Sequence, residues 1–229
     1  MDERWHDPSR DAIQGVLEEV ANELAHGTRV LDAGAGEARY SSLFARANYV
    51  ACDFAKGEPK WDYSRLSVVC DLAALAFQDG TFDLIISTEA LEHIPDPQAV
   101  FKEFARALVN GGRLLVTVPF QGYREHQVPY DYYRYTRYGL EYLAGQAGLK
   151  VDEVRAIGGV FSLMAKLVHY LTGYWFLQPE PTWKRIAKKP LRVTYSIFKR
   201  IAFRILSALD RRDNRRDFPL HYFLICTKI

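Results

Sequence analysis

The chain has 229 residues, 48% of them hydrophobic and 25% charged, with a formal net charge of +2 at pH 7. That balance is the balance of a globular protein with one large core and room for an added subdomain. The three cysteines form no CxxC pair and no disulfide framework, which suits a reducing compartment, and the polar, charged stretch from Met1 to Asp11 does not read as a secretory leader.

Taken in chain order, residues 9–26 place Ile13, Val16, Leu17, Val20, Ala21 and Leu24 at helical intervals, with Ser9 or Asp11 as the cap. Strand-like runs follow at Arg29–Ala33, Tyr49–Asp53, Leu66–Cys70, Phe82–Ser87 and Arg113–Val118. Helical patterns lie between them at Ala38–Arg46 and Pro97–Leu108. The second has Asp96 as cap, Pro97 at the first position and Asn110-Gly111-Gly112 as its stop. A helix from Thr136 to Ala147, a strand at Leu149–Ile157 and a last apolar strand at His221–Lys228 complete the pattern. The alternation implies an α/β fold, a doubly wound, mostly parallel seven-stranded sheet with helices on both faces.

The first strand runs into Val30-Leu31-Asp32-Ala33-Gly34-Ala35-Gly36-Glu37-Ala38-Arg39. A strand, a glycine turn and a helix-compatible start hold a nucleotide-like ligand at the carboxyl edge of such a sheet. A dinucleotide is disfavoured. Arg39 occupies the place of the third glycine, and Asp32 would repel a pyrophosphate. An ammonium and a sulfonium suit Asp32 better. Here the chain resembles the class I S-adenosylmethionine-dependent methyltransferases, in their broad small-molecule, type 11-like branch, whose first motif reads Asp-x-Gly-x-Gly.

That resemblance implies a Rossmann-like methyltransferase fold with the final strand antiparallel between the fifth and sixth, and S-adenosylmethionine as cofactor. Asp32, Gly34 and Gly36 would form its turn. Asp53, nineteen residues after Gly34, ends the second strand where an acid meets the two ribose hydroxyls; otherwise it is a turn aspartate. Asp71 and Leu72 would meet the adenine, or Asp71 caps a short segment. The run Thr88-Glu89-Ala90-Leu91-Glu92-His93 resembles the family's fourth-strand loop. Thr88 and Glu89 would offer backbone contacts there, and His93 is either a general base or a local brace. The Asn/Asp-Pro-Pro-Tyr and Pro-Cys signatures of nucleic-acid base methylation are missing from this loop.

After the fifth strand, residues 119–136 are rich in tyrosine. Tyr130, Tyr133 and Arg134 are the candidates for acceptor binding, and His126 is preferred over His93 for acceptor contact. The run Asp131-Tyr132-Tyr133-Arg134-Tyr135-Thr136 resembles one found in many uncharacterised family members. Its structural alternative is a lid in which Arg134 pairs with Asp131 or Glu89. His93, His126 and the nearby acids supply no ligand pair on one helix or turn, so no metal is expected.

Residues 158–219 interrupt the fold before its last strand. They carry thirteen Lys and Arg against four Asp and Glu, a net of +9. A structureless loop of that length is improbable, so the chain divides into a Rossmann-like domain, 1–157 and 220–229, and a basic, aromatic, helical insertion, 158–219. Phe161–Leu177 is apolar but interrupted by Lys166 and His169, too short a span to cross a membrane. From Leu191 to Leu209, Tyr195, Phe198, Ile201, Ala202 and Ile205 make an apolar stripe apart from Arg192, Lys199, Arg200 and Arg204. Lys188, Lys189 and Pro190 precede it, and Tyr170, Tyr174, Trp175, Phe176 and Trp183 lie nearby. The pattern fits a helix in an anionic membrane interface or an ordinary amphipathic helix; nucleic acid ranks below both.

The expected activity is methyl transfer to a small-molecule, glycan or lipid-linked acceptor, at oxygen, with His126 or His93 as base. The expected place is cytoplasmic, with peripheral contact at the inner face of the membrane. The alternatives are a non-catalytic membrane- or glycan-binding protein that keeps the fold, and a nicotinamide oxidoreductase disfavoured by Arg39 and Asp32.

Overall fold

The structure is a computed structural model that describes residues 8–176 and 189–229. Strands β1 (Arg29–Ala33), β2 (Asn48–Asp53), β3 (Val68–Val69), β4 (Phe82–Thr88), β5 (Leu108–Pro119), β6 (Leu149–Ile157) and β7 (His221–Lys228) form one sheet. Its order is β3-β2-β1-β4-β5-β7-β6. The first five strands pair in parallel, and β7 runs antiparallel between β5 and β6. The α/β sheet expected from the sequence is the one observed.

Alternate side chains of the central strands feed two cores, as a two-residue period requires. Leu31 and Ile85 face one side with Val100, Phe101 and Phe104 of α2 (Pro97–Ala107) and Leu140 and Ala144 of α3 (Arg137–Gln146). Val30, Leu84 and Ile86 face the other, with Ile13, Leu17 and Val20 of α1 (Pro8–Glu23) and Phe44. Helix α2 starts as its sequence dictates: Asp96 accepts a 3.0 Å hydrogen bond from the Ala99 amide and Pro97 fills the first turn. Thr136 caps α3 through the Gly139 amide at 3.1 Å.

Four local expectations need correction. Helix α1 begins at Pro8, so Ser9 and Asp11 lie within it and neither is its cap. The segment 38–46 is not an α-helix: only Ser41–Phe44 form a 3-10 turn, and Ala38 stands at φ 50, which a right-handed helix does not admit. Consequently Arg39 is exposed and crowds nothing. The third strand is just Val68–Val69, and Asp71 lies in the turn beyond it. Asn110, Gly111 and Gly112 belong to β5, where the register with β4 shifts between Phe82 and Leu84.

The insertion contributes α4 (Val160–Phe176) and α5 (Lys189–Asp210), packed as an antiparallel hairpin. Tyr195 Oη donates to the Val168 carbonyl at 2.7 Å, and Asp210 Oδ1 accepts from the Ser162 amide at 3.1 Å. The stripe of α5 is therefore split: Tyr195 and Ala202 sit on the half-buried side, while Leu191, Phe198, Ile201, Ile205 and Leu209 are exposed. Lys199 is half-buried rather than out in solvent. Lys188, Trp183 and the side chains of Trp175, Phe176, Lys189 and Arg192 lie outside the described residues.

Phe104 is fully buried against the sheet whereas Asp96 acts only at a helix end. Phe104→Ala is expected to cost about 3–5 kcal/mol and Asp96→Ala about 1 kcal/mol. Urea denaturation followed by circular dichroism measures both.

Candidate active site

The carboxyl ends of β1, β2 and β4 converge on one turn. Gly34 stands at φ +81, and a Cβ there would lie 2.5 Å from Ala90 Cβ and 3.4 Å from Leu72 Cδ1. Gly36 also has positive φ, and the Trp61 ring lies 3.4 Å from its would-be Cβ. Asp53 clamps the turn from β2: Oδ2 accepts from the Gly36 amide at 2.9 Å and Oδ1 from the Ala55 amide at 2.8 Å. Each oxygen keeps a second lone pair, which is what a ribose diol needs. Asp71 is exposed, and its Oδ1 accepts from the Ala73 amide at 2.9 Å, so in this structure it caps a turn while Leu72 is buried beside Gly34.

Asp32 is 1% exposed. Its Oδ2 takes the Tyr49 phenol at 2.5 Å and its Oδ1 has no partner. Burial pushes this carboxyl up to about 7, against the opposing pull of the Tyr49 hydrogen bond. An orphaned carboxylate oxygen beneath a glycine cradle that excludes any Cβ fits a ligand bearing an ammonium, and S-adenosylmethionine is such a ligand. Gly34, Gly36, Asp32 and Asp53 are the residues that would hold it.

Two polar clusters line the edge next to that turn. In the first, Glu92 is fully buried with neither carboxylate oxygen hydrogen-bonded. Burial drives its carboxyl well above the ordinary range, and the charge of Glu89 adds to the effect. His93 Nε2 stands 3.7 Å and His126 Nε2 3.9 Å from Glu92 Oε1. His93 Nδ1 lies 2.6 Å from the Tyr130 carbonyl; a carbonyl only accepts, so Nδ1 carries the proton and Nε2 the lone pair. The His93 ring is held below its ordinary value mainly by burial. The fold brings His126, from the loop after β5, to Glu92 and His93 on the loop after β4, with one ligand atom of each within 4.8 Å of the others.

The second cluster was missed at the sequence level. His221 opens β7, and its Nε2 lies 2.9 Å from Glu89 Oε2 and 2.6 Å from Tyr123 Oη. Glu89 stands at φ 51, with its other oxygen 3.2 Å from Thr117 Oγ1. Lys166 of α4 is buried over the Tyr123 ring, and Arg124 lies over the Tyr170 ring. The insertion thus reaches the site, and residues of the fold and of the insertion are not separable there. The only sequence signals were polar residues inside apolar runs: His221 as the first residue of the last strand, Lys166 and His169 within α4.

The tyrosine loop is braced. Arg134 grips Asp131 through two bonds of 2.6 and 2.8 Å, holding that carboxyl down to about 2. Arg134 therefore takes the lid pairing with Asp131, and it is not a free guanidinium waiting for an acceptor. Tyr133 Oη donates to the Pro95 carbonyl at 2.9 Å, and Tyr130 stays about half exposed. Thr88 ends β4, with the following Glu89 amide bound to the Thr117 carbonyl.

Asp32 gives the site a pH signature. Its folded value of about 7 exceeds the ordinary 3.8, so the folded state binds the extra proton between them. Stability of the free protein is expected to fall as pH rises through that window. Asp32→Asn should flatten the slope, as measured by denaturant midpoints from pH 4.5 to pH 8.

Residues 31–116 match the model of a methyltransferase domain. A malonyl-[acyl-carrier protein] O-methyltransferase of Herminiimonas arsenicoxydans is 36% identical over 124 residues, 49% of this chain and 47% of that protein. A ubiquinone biosynthesis O-methyltransferase of Xanthomonas oryzae pv. oryzae is 38% identical over 105 residues, 40% of this chain and 43% of its own length. The chain thus spans less than half the length of these relatives. Among solved structures, the Haemonchus contortus phosphoethanolamine N-methyltransferase 2 in complex with S-adenosyl-L-methionine has a TM-score of 0.56 at 19% identity, covering 95% of this chain and 52% of that one. With this sheet order, this glycine turn and this matched segment, residues 31–116 are a methyltransferase domain in a fold shared with class I S-adenosylmethionine-dependent methyltransferases, and S-adenosylmethionine is the cofactor such a domain takes.

Proposed function

We propose that the protein transfers a methyl group from S-adenosylmethionine to an oxygen of a small-molecule, glycan or lipid-linked acceptor. The observation that carries the reading is the cluster of buried Glu92 with half-buried His93 and His126, the first two on the loop whose Ala90 seals the cofactor turn at Gly34. The cofactor supplies a methyl already activated by its sulfonium. The chain therefore has to align the acceptor, exclude water and take one proton from its hydroxyl. Asp53 and Asp32 hold the nucleoside and the ammonium. His126, the more exposed imidazole, meets the acceptor, with His93 behind it. Exposed Tyr130 and the edge of Tyr133 provide surface for a ring or an acyl chain. The two O-methyltransferase relatives support transfer to oxygen.

The hairpin supports a peripheral place at an anionic membrane. Met164, Leu167 and Leu171 of α4 and Ile197, Phe198, Ile201 and Ile205 of α5 are each between 47% and 56% exposed. Exposed Arg200 and Arg204 lie one turn apart on α5 alongside them. An apolar face bordered by cations is complementary to an anionic headgroup layer over hydrocarbon. No helix among the described residues is long and apolar enough to cross a membrane.

Three outcomes are expected of the site. Asp53→Ala should weaken S-adenosylhomocysteine binding by about 1.5–3 kcal/mol. Gly34→Val, whose Cβ meets Ala90, should abolish it by calorimetry. His126→Asn should lower methyl transfer into fractionated soluble and lipid extracts by roughly two to four decades while sparing cofactor affinity. Tight binding of the cofactor with no labelled methyl in any fraction would favour the non-catalytic reading.

For the hairpin, sedimentation with anionic vesicles should show binding that weakens as salt rises, since the Debye length at physiological salt is about 8 Å. Arg200→Glu with Arg204→Glu should weaken it, and so should Ile201→Asp. Absence of vesicle binding by the parent protein at low salt would defeat this part of the proposal.

A further inference from the structure

We infer that Glu92, His93 and His126 form a binding site for one divalent first-row transition-metal ion of the zinc type. The inference rests on donor geometry and on an orphaned buried carboxylate; it deepens the methyl-transfer reading, whose histidines it shares and whose His126 would then act as a ligand, and the test below separates the two.

One ligand atom from each residue lies within 4.8 Å of the others. Both Nε2 atoms approach the same carboxylate oxygen, Glu92 Oε1, at 3.7 and 3.9 Å. Donors arranged tetrahedrally around zinc sit roughly 3.3 Å apart, as bond lengths of about 2.0–2.1 Å require. The cluster must therefore contract by about half an ångström on those two edges and by up to about 1.5 Å on the edge between the imidazoles, which turning the two rings supplies.

The outer groups set the imidazoles for ligation. Nδ1 of His93 faces the Tyr130 carbonyl at 2.6 Å, and Nδ1 of His126 faces the Arg124 carbonyl at 3.2 Å and Asp131 Oδ2 at 3.4 Å. All three partners are acceptors, so each Nδ1 keeps its hydrogen and each Nε2 presents a lone pair toward Glu92. That is how metal-bound histidines are oriented. The rings themselves meet edge to face, 4.7 Å between centroids.

The second observation is Glu92 itself. Its side chain is fully buried and both oxygens lack a hydrogen-bond partner. A buried carboxylate in that condition is costly unless a cation or a donor meets it. Two imidazoles and one carboxylate select a transition ion over magnesium or calcium, which take all-oxygen shells. Three protein ligands also leave a coordination position open, the arrangement of a site that admits a reactant oxygen.

Chelator-treated full-length protein titrated with zinc, and separately with cobalt(II) read by visible absorption, should bind one equivalent saturably. Glu92→Gln, His93→Gln and His126→Gln should each weaken affinity by at least about tenfold. Exposed His26→Gln and partly buried Cys70→Ser should leave it unchanged. S-adenosylhomocysteine affinity of each variant reports that the fold is intact and also tests the methyltransferase reading separately. Metal binding without methyl transfer would remove that reading and keep this site. No saturable zinc or cobalt binding by the parent protein, or binding that survives all three ligand substitutions in folded variants, would overturn the inference.

Discussion

The turn after β1 has no room for a side chain at Gly34, and most of the site follows from that one contact. A Cβ at Gly34 would meet Ala90 on the loop after β4, so the two loops can close only over a glycine. Because they close, the amides of the turn fall within reach of Asp53, which ties β2 to the same place through Gly36. Leu72 fills the remaining side, and Asp32 is sealed beneath with one oxygen unpaired. The cofactor cradle is a consequence of close backbone approach at the carboxyl edge of parallel strands, where strand ends diverge into loops.

Sealing that edge leaves unusual polar groups in apolar surroundings. Glu92 and Asp32 are both buried with orphaned oxygens, and both carboxyls are raised for the same reason, loss of water around the charged form. A fold keeps such groups at a cost to stability. Their concentration on one sheet edge, among His93, His126 and His221, is better explained by chemistry performed there than by packing. The contrast with Asp131 is instructive: a carboxylate on the same loop, gripped by Arg134, is stabilised as an anion and serves as a brace.

The hairpin that interrupts the fold does two jobs on two surfaces. Its inner surface brings Lys166 onto Tyr123 and packs Leu163 where a Cβ at Gly122 would have to be. It therefore packs against the loop that follows β5, beside the Glu89–His221 pair. Its outer surface keeps large apolar side chains in water beside arginines. An apolar exposure of this extent, on both helices of one hairpin, is uncommon unless something covers it.

Local physics made much of this legible in sequence. Strand runs, the caps at Asp96 and Thr136 and the glycine turn depend on neighbours within a few residues, and they specified the α/β sheet, the cofactor edge and the starts of α2 and α3. Where a local pattern was ambiguous, tertiary packing decided it: 38–46 has helical spacing, yet the turn that lets Gly36 reach Asp53 puts Ala38 in a left-handed conformation. The grouping of Glu92 with His126, the approach of His221 to Glu89 across 132 residues and the split of the α5 stripe by α4 were decided by the tertiary structure alone. No periodicity encodes them. They arise because an antiparallel last strand enters beside β5 and a folded hairpin closes over the loop that follows it, and such long-range juxtapositions are fixed by the packing of whole elements.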